Sequence, residues 1–196
     1  MKPFNKKQKI LAKNYINKFL KKYNISTKIT KTSIAGSASL YNEEDNKKRK
    51  IKIPRPIDPY KLGVGFHEIG HIVLGHTKLR ENKLIDQRPT YIHEYEAEKF
   101  AINNLKKIGF YTKQYEVEAI RYVMESIAQE VNKYHYFIID IPKKIINWTG
   151  LNLNTWKRAR KITVPNEENY GINDKHKLII QYLMPKKKKF ISKFNK

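Results

Sequence analysis

Apolar and polar residues alternate at helical spacing near the beginning of the chain. Over residues 5–22 this pattern predicts an amphipathic first helix whose other face is a lysine and asparagine surface. The residues expected on its apolar face are Ile10, Leu11, Tyr15, Phe19 and Leu20.

The pattern changes to β-branched and alternating residues between positions 26 and 53. Runs at 34–41 and 49–53 flank the polar segment 42–48, an arrangement that predicts a β-hairpin. Three prolines between 54 and 59 prevent the second strand from continuing. Because an extended peptide can add main-chain hydrogen bonds to a sheet edge, the 34–41 strand is the expected substrate-pairing edge.

A second helix is predicted at about 59–75. Asp58 supplies an N-cap, and Pro59 stands at the first helical position, where proline is well tolerated. Apolar residues surround most of the circumference of this helix, which predicts that it is buried in the core. These residues are Phe66, Ile69, Ile72, Val73 and Leu74.

The same helix carries the motif His-Glu-x-x-His. Histidines four positions apart lie on one helical face, so His67 and His71 can present imidazole nitrogens to one zinc ion. Glu68 beside them can reach a water molecule at the metal, take its proton as general base and deliver that proton to the leaving amine. The motif therefore predicts one zinc per chain and a hydrolytic site. The chain has no cysteine, so a metal here must be bound by histidine and carboxylate groups.

A catalytic zinc needs a third protein ligand and one open position. A third helix is predicted from Thr90, which can cap it, to Gly109, which can end it. It offers the carboxylates of Glu94, Glu96 and Glu98. It also offers His93, which is adjacent to a face of the helix that is not the expected metal-binding face. His76, five residues after His71, points away from the metal-binding stripe and is interpreted as a helix-end residue that interacts with the C-terminal dipole.

Helical geometry selects among the three carboxylates. Glu94, Ala97, Glu98 and Ala101 share one face, and the small alanines allow that face to approach another helix closely. Glu96 points elsewhere. Glu94 and Glu98 both remain; the more N-terminal Glu94 is taken as the predicted third ligand, and Glu98, one turn later, can hydrogen-bond a ligand imidazole.

These two segments together resemble the ImmA/IrrE family of zinc metallopeptidases, which are gluzincin-like enzymes. The resemblance rests on the run 66–76 and on the later sequence Glu94-x-x-Ala97-x-x-Phe100-Ala101. The second motif of the family reads Glu-x-x-Ala-Asn/Asp-x-Phe-Ala. This chain has glutamate at position 98 where the family usually has asparagine or aspartate.

The resemblance covers roughly residues 30–110. It implies zinc bound by His67, His71 and Glu94, with Glu68 as the catalytic acid and base. It also implies a small sheet with packed helices, and an edge strand that lines the substrate cleft. Members of the family typically cleave protein regulators, so the implied partner is a protein or peptide substrate.

The charge balance of the chain is strongly basic. Its 41 lysines and arginines against 18 aspartates and glutamates give a net charge of +23. Such a field attracts nucleic acid, although codon bias in an AT-rich genome produces the same composition without a binding surface. No apolar run approaches membrane-spanning length, and a cytoplasmic protein without membrane contact is expected.

The expected fold class is α+β. Residues 1–184 are interpreted as a single zincin-like metallopeptidase domain with a small antiparallel or mixed sheet, and its catalytic core spans about 26–134. Residues 113–134 predict a long amphipathic helix, and 185–196 a basic tail. The alternatives to a peptidase are a non-catalytic zinc-fold binding module and a basic nucleic-acid-binding protein with structural zinc.

Overall fold

The fold is described from a computed structural model of the chain. It combines helices with a small sheet, which confirms the α+β class. The tail predicted at 185–196 lies outside the described residues. The structure describes residues 2–30, 37–43, 46–76, 89–133 and 141–151.

The chain divides into two compact units, Met1–Glu116 and Val117–Lys196. The first contains all the strands found in the described residues and the residues of the candidate site. No helix among the described residues is long and apolar enough to cross a membrane. In chain order the helices are α1 Lys6–Lys22, α2 Pro59–Val73, α3 Thr90–Lys107, α4 Lys113–Lys133 and α5 Lys143–Thr149, and the strands are β1 Ile25–Thr30, β2 Ser37–Glu43 and β3 Asn46–Pro54.

The first predicted helix is confirmed as α1, and a capping box begins it. The Asn5 side chain accepts a hydrogen bond from the Gln8 backbone N–H at 2.9 Å, and the Gln8 side chain accepts one from the Asn5 N–H at 3.0 Å. Two backbone donors that the helix itself leaves unpaired are thereby satisfied.

The buried face of α1 differs from the prediction. Ile10 and Leu11 are 53% and 43% exposed, whereas Ala12 and Ile16 are buried. Ala12, Ile16 and Phe19 follow the spacing i, i+4 and i+7, so they form one stripe, and Ile10 lies on nearly the opposite side of the helix. Ala12 lies at the centre of this stripe. Because alanine is small, a search for large apolar residues does not identify the buried face.

The predicted hairpin is confirmed, because β2 pairs antiparallel with β3 from Ser37 opposite Lys52 to Glu43 opposite Asn46. The prediction of a purely antiparallel sheet is wrong, because β1 runs parallel to β3. The strand order is β1-β3-β2, so β3 is the middle strand and pairs with β2 on one side and with β1 on the other. Ile51 and Ile53 of β3 are buried.

The helix that carries the motif is confirmed as α2. Asp58 caps it by accepting a hydrogen bond from the Lys61 backbone N–H at 2.8 Å, and Pro59 is its first residue. Leu62, Phe66, Ile69 and Ile72 are buried, but Val73 is only half-buried and Leu74 is 43% exposed, so the prediction of burial is wrong for the end of the helix.

The third helix begins differently from the prediction. Thr90 does not cap α3; it is the first helical residue, and Pro89 stands at the N-cap with no side-chain hydrogen bond. The Ile92 backbone N–H donates to the Pro89 carbonyl at 3.0 Å, so one donor of the first turn is paired without a side-chain cap. Gly109 ends the helix as predicted, with φ at +74°.

The long helix predicted over 113–134 is confirmed as α4. Its apolar residues Ile120, Val123, Met124 and Ile127 are fully buried, as their helical spacing indicates. The residues of its first turn belong to the same compact unit as α2 and α3.

Candidate metal centre

Helices α2 and α3 approach each other closely at a glycine and an alanine. A Cβ atom placed on Gly70 would lie 3.3 Å from Ala97 Cα and 3.4 Å from the Ala97 carbonyl oxygen. This approach was expected from the alanines of α3. Because the helix axes are close, side chains one turn away from this contact can meet between the two helices.

Three donor atoms converge in that space. His67 Nε2 lies 3.0 Å from His71 Nε2, and Glu94 Oε2 lies 3.2 Å from the first nitrogen and 3.4 Å from the second. The side chains are largely buried, with 8% of His67 and 12% each of His71 and Glu94 exposed. The structure therefore brings together the three residues that the sequence predicts as ligands.

The spacing of these atoms fits a metal ion. A tetrahedral divalent cation bound at about 2.0–2.1 Å from each donor places the donors about 3.3 Å apart. Glu94 Oε2 is buried, and the polar atoms that face it are the two imidazole nitrogens, His67 Nε2 at 3.2 Å and His71 Nε2 at 3.4 Å. A buried carboxylate is costly unless a cation compensates its charge. The cluster of His67, His71 and Glu94 can hold a metal ion.

The electrostatics of the cluster also favour a cation. Burial raises the pKa of Glu94, but its contacts with the two imidazoles outweigh burial and lower the pKa to about 2. Burial lowers the pKa of His67, but the carboxylates of Glu94 and Glu98 raise it to about 10. The same negative field that favours a proton on His67 favours a metal cation at that position.

The second nitrogen of His67 faces another carboxylate. His67 Nδ1 lies 3.1 Å from Glu98 Oε1, and the hydroxyl of Tyr115 donates a hydrogen bond to Glu98 Oε2 at 2.9 Å. Glu98 and Tyr115 are both buried. The contact expected between Glu98 and a ligand imidazole is confirmed, and the glutamate is long enough to reach both the imidazole and the tyrosine.

The second nitrogen of His71 faces an imidazole. His71 Nδ1 lies 3.1 Å from His76 Nδ1, and His76 Nε2 lies 3.2 Å from Glu96 Oε2. The rings of His76 and His93 stack with centroids 4.6 Å apart. The interpretation of His76 as a helix-end residue acting on the dipole is therefore incomplete, because its side chain contacts a predicted ligand.

Glu68 is the fourth predicted site residue, and it is 7% exposed. Burial raises its pKa to about 7, against the opposing effect of the His67 charge; the carboxylates of Glu94 and Glu98 add to the rise. Glu68 therefore loses and regains a proton near neutral pH, as a general base must.

Sequence reasoning missed Tyr115 and the contact made by His76. Tyr115 follows α3 by a short connection, and nothing in the spacing of the motif indicates that its hydroxyl reaches Glu98. His76 carried a usable signal, because a glycine at position 75 followed by a polar residue often marks a helix end that folds back on its last turn.

Comparison with known proteins gave no match to any protein-family profile, curated protein or solved structure.

Proposed function

We propose that this chain is a cytoplasmic zinc-dependent peptidase that hydrolyses peptide bonds of a protein substrate. Zinc would be held by His67, His71 and Glu94, and Glu68 would act as the general base. The observation that carries the proposal is the convergence, at 3.0–3.4 Å, of two imidazole nitrogens from α2, the helix that also carries Glu68, and one carboxylate oxygen from α3.

The donor set favours catalysis over a structural role. Structural zinc sites are normally closed by four protein ligands, whereas catalytic sites have three and keep a position for water or substrate. Among the described residues, the group of donors that can share one ion consists of His67, His71 and Glu94. When bound in such a set, zinc lowers the pKa of a water molecule towards about 7 and polarises a carbonyl group.

The side chains around the cluster would transfer the proton and orient the ligands. Glu68 would accept a proton from the attacking water and return it to the leaving amine. His67 is oriented by Glu98, which in turn is held by the hydroxyl of Tyr115. Burial of these side chains keeps bulk water from screening their charges.

The substrate proposal rests on the resemblance to the ImmA/IrrE family, whose members typically cleave protein regulators. β2 lies at an edge of the sheet, where an extended peptide can pair with it through main-chain hydrogen bonds. The net charge of +23 would attract a regulator that is bound to DNA, through nonspecific contacts with the phosphates.

Metal content is the first experiment. Purified wild-type protein should contain about one zinc per chain by elemental analysis, and His67→Ala and Glu94→Ala should lose it. Glu68→Gln should keep the metal and lose hydrolysis of an unfolded protein substrate. Glu118→Ala, which removes a partly exposed carboxylate elsewhere, should change neither property.

The outcomes separate the candidate functions. Wild-type protein that binds no divalent metal after reconstitution would exclude a metallopeptidase. Protein that binds zinc but cleaves neither unfolded proteins nor peptide mixtures would instead support a binding module. Salt-dependent DNA binding that survives metal removal would favour a nucleic-acid-binding protein.

A further inference from the structure

We propose that His76 is a positioning residue that fixes the orientation and the proton of His71, and that Glu96 in turn fixes His76. This inference rests on the proposed function, because it assigns His71 Nε2 to the metal. It concerns residues outside the His-Glu-x-x-His motif and outside the predicted ligand set.

The end of α2 brings His76 back over His71. Gly75 has a φ of +76°, and its N–H donates to the Ile72 carbonyl at 3.2 Å, while the His76 N–H donates to the His71 carbonyl at 2.8 Å. These two hydrogen bonds define a Schellman motif, in which the residue after the glycine contacts the residue one turn inside the helix. Here the contact is between two imidazoles.

The proton positions follow from the order of the contacts. A metal-binding His71 Nε2 must offer a lone pair, so the proton of a neutral His71 is on Nδ1. His71 Nδ1–H then donates to His76 Nδ1, 3.1 Å away, which must carry a lone pair. The proton of His76 is consequently on Nε2, from which it donates to Glu96 Oε2 at 3.2 Å.

The middle residue of this chain, His76, is buried, and its far end, Glu96, lies on α3. The side chain of His76 is only 1% exposed, and its ring stacks on that of His93. Glu96 is two residues from the proposed ligand Glu94 on α3, so the chain His71–His76–Glu96 connects the two helices that supply the ligands. Partners of this kind orient ligand imidazoles and increase their basicity, and their loss typically weakens metal binding roughly ten- to hundredfold.

The test compares zinc affinity in matched variants by competition with a chromophoric chelator. His76→Ala removes the acceptor for His71 Nδ1–H and should weaken zinc binding roughly ten- to hundredfold. In His76→Asn the amide oxygen can occupy the place of Nδ1 and should restore much of the affinity. In His76→Gln the amide lies near the place of Nε2 and should restore less. Circular dichroism and denaturant unfolding serve as the folding controls.

A spectroscopic readout tests the proton assignment directly. In ¹⁵N-labelled, zinc-loaded protein, two-bond proton–nitrogen spectra should show His71 protonated at Nδ1 and His76 protonated at Nε2, and Glu96→Ala should alter the tautomer balance of His76. Wild-type protein that binds no zinc would reject the proposed function together with this inference. Two results would overturn this inference and leave the proposed function intact. In the first, the protein binds zinc, but His76→Ala, His76→Asn and His76→Gln have the same zinc affinity as one another. In the second, His76 carries its proton on Nδ1.

Discussion

His67 Nδ1 lies 3.1 Å from Glu98 Oε1, while the other nitrogen of the same ring faces Glu94. One imidazole is therefore held from both sides by carboxylates of α3. The side chain of Glu98 reaches both His67 and the hydroxyl of Tyr115, one through each carboxylate oxygen.

Substitution of Glu98 should weaken zinc binding without removing a ligand. Glu98→Ala deletes the acceptor of the His67 Nδ1–H and should lower zinc affinity roughly ten- to hundredfold. Glu98→Gln keeps an oxygen that can accept and should have a smaller effect. Glu98→Asp is expected to fall between them, because the shorter side chain cannot hold both partners. Competition titration measures each affinity, and an unchanged affinity in Glu98→Ala would contradict the assigned role.

Removal of the Tyr115 hydroxyl should affect both stability and the metal site. Tyr115→Phe leaves the buried Glu98 Oε2 without its donor, a change that costs about 1–3 kcal/mol of unfolding free energy. Zinc affinity should fall as well, because Glu98 becomes free to rotate away from His67. Denaturant unfolding and chelator competition measure the two effects.

Tyr111→Phe is the matched control for this change. The hydroxyl of Tyr111 also donates to a glutamate, Glu116, but neither residue belongs to the donor cluster of His67, His71 and Glu94. Tyr111→Phe should therefore leave zinc affinity at the wild-type value. Equal loss of affinity in the two variants would show that the Tyr115 effect is a general consequence of destabilisation.

Two glycines of α2 provide a test of packing beneath the site. A Cβ on Gly63 would overlap the buried ring of Tyr115 at Cε2, whereas a Cβ on Gly65 would lie 3.2 Å from the end of the Ile16 side chain. Gly63→Ala should be destabilised by at least about 1–3 kcal/mol through overpacking, even though alanine favours a helix. Gly65→Ala should be neutral or stabilised by up to about 1 kcal/mol, since the flexible end of Ile16 can move.

Denaturant unfolding distinguishes these two variants. Gly63→Ala should also weaken zinc binding, because the ring that must move carries the hydroxyl bound to Glu98. Equal stabilities of the two alanine variants would argue against the packing of Tyr115 on Gly63.

The cluster of donor atoms was predictable because it depends mainly on helical periodicity. The spacing of His67 and His71 on α2 places them on one face, Glu94 shares a face of α3 with two alanines, and those alanines indicate the close approach that brings the two faces together. The hairpin and its order after α1 were predictable for the same reason, because alternation and turn composition are local signals.

The parts that were missed depend on contacts between distant segments. The parallel pairing of β1 with β3 joins strands that are separated by β2, and no local pattern records it. The buried face of α1 is centred on Ala12, whose burial depends on how closely its neighbours approach. The contact of Tyr115 with Glu98 joins residues 17 positions apart on two different helices, and no residue pattern specifies it.

Gly70 sets the separation of the two helices that supply the ligands. A Cβ at this position would lie 3.2 Å from Phe100 Cδ1 and 3.3 Å from the Cα of Ala97, and a backbone atom cannot yield as a flexible side chain can. Gly70→Ala should therefore push α3 away by a few tenths of an ångström, and Glu94, one turn before Ala97, should move with it.

Zinc affinity in Gly70→Ala should fall although every ligand and every hydrogen-bonding partner is retained, since metal ligation tolerates deviations of only about 0.2 Å. Gly65→Ala in the same helix is the matched control, because its Cβ meets a flexible side-chain terminus and should leave affinity unchanged. Chelator competition on both variants, with unfolding curves alongside, separates a geometric effect from lost stability. Wild-type affinity in Gly70→Ala would mean that the helices can separate without displacing Glu94 from the two histidines, and that the spacing of the donor atoms is set elsewhere.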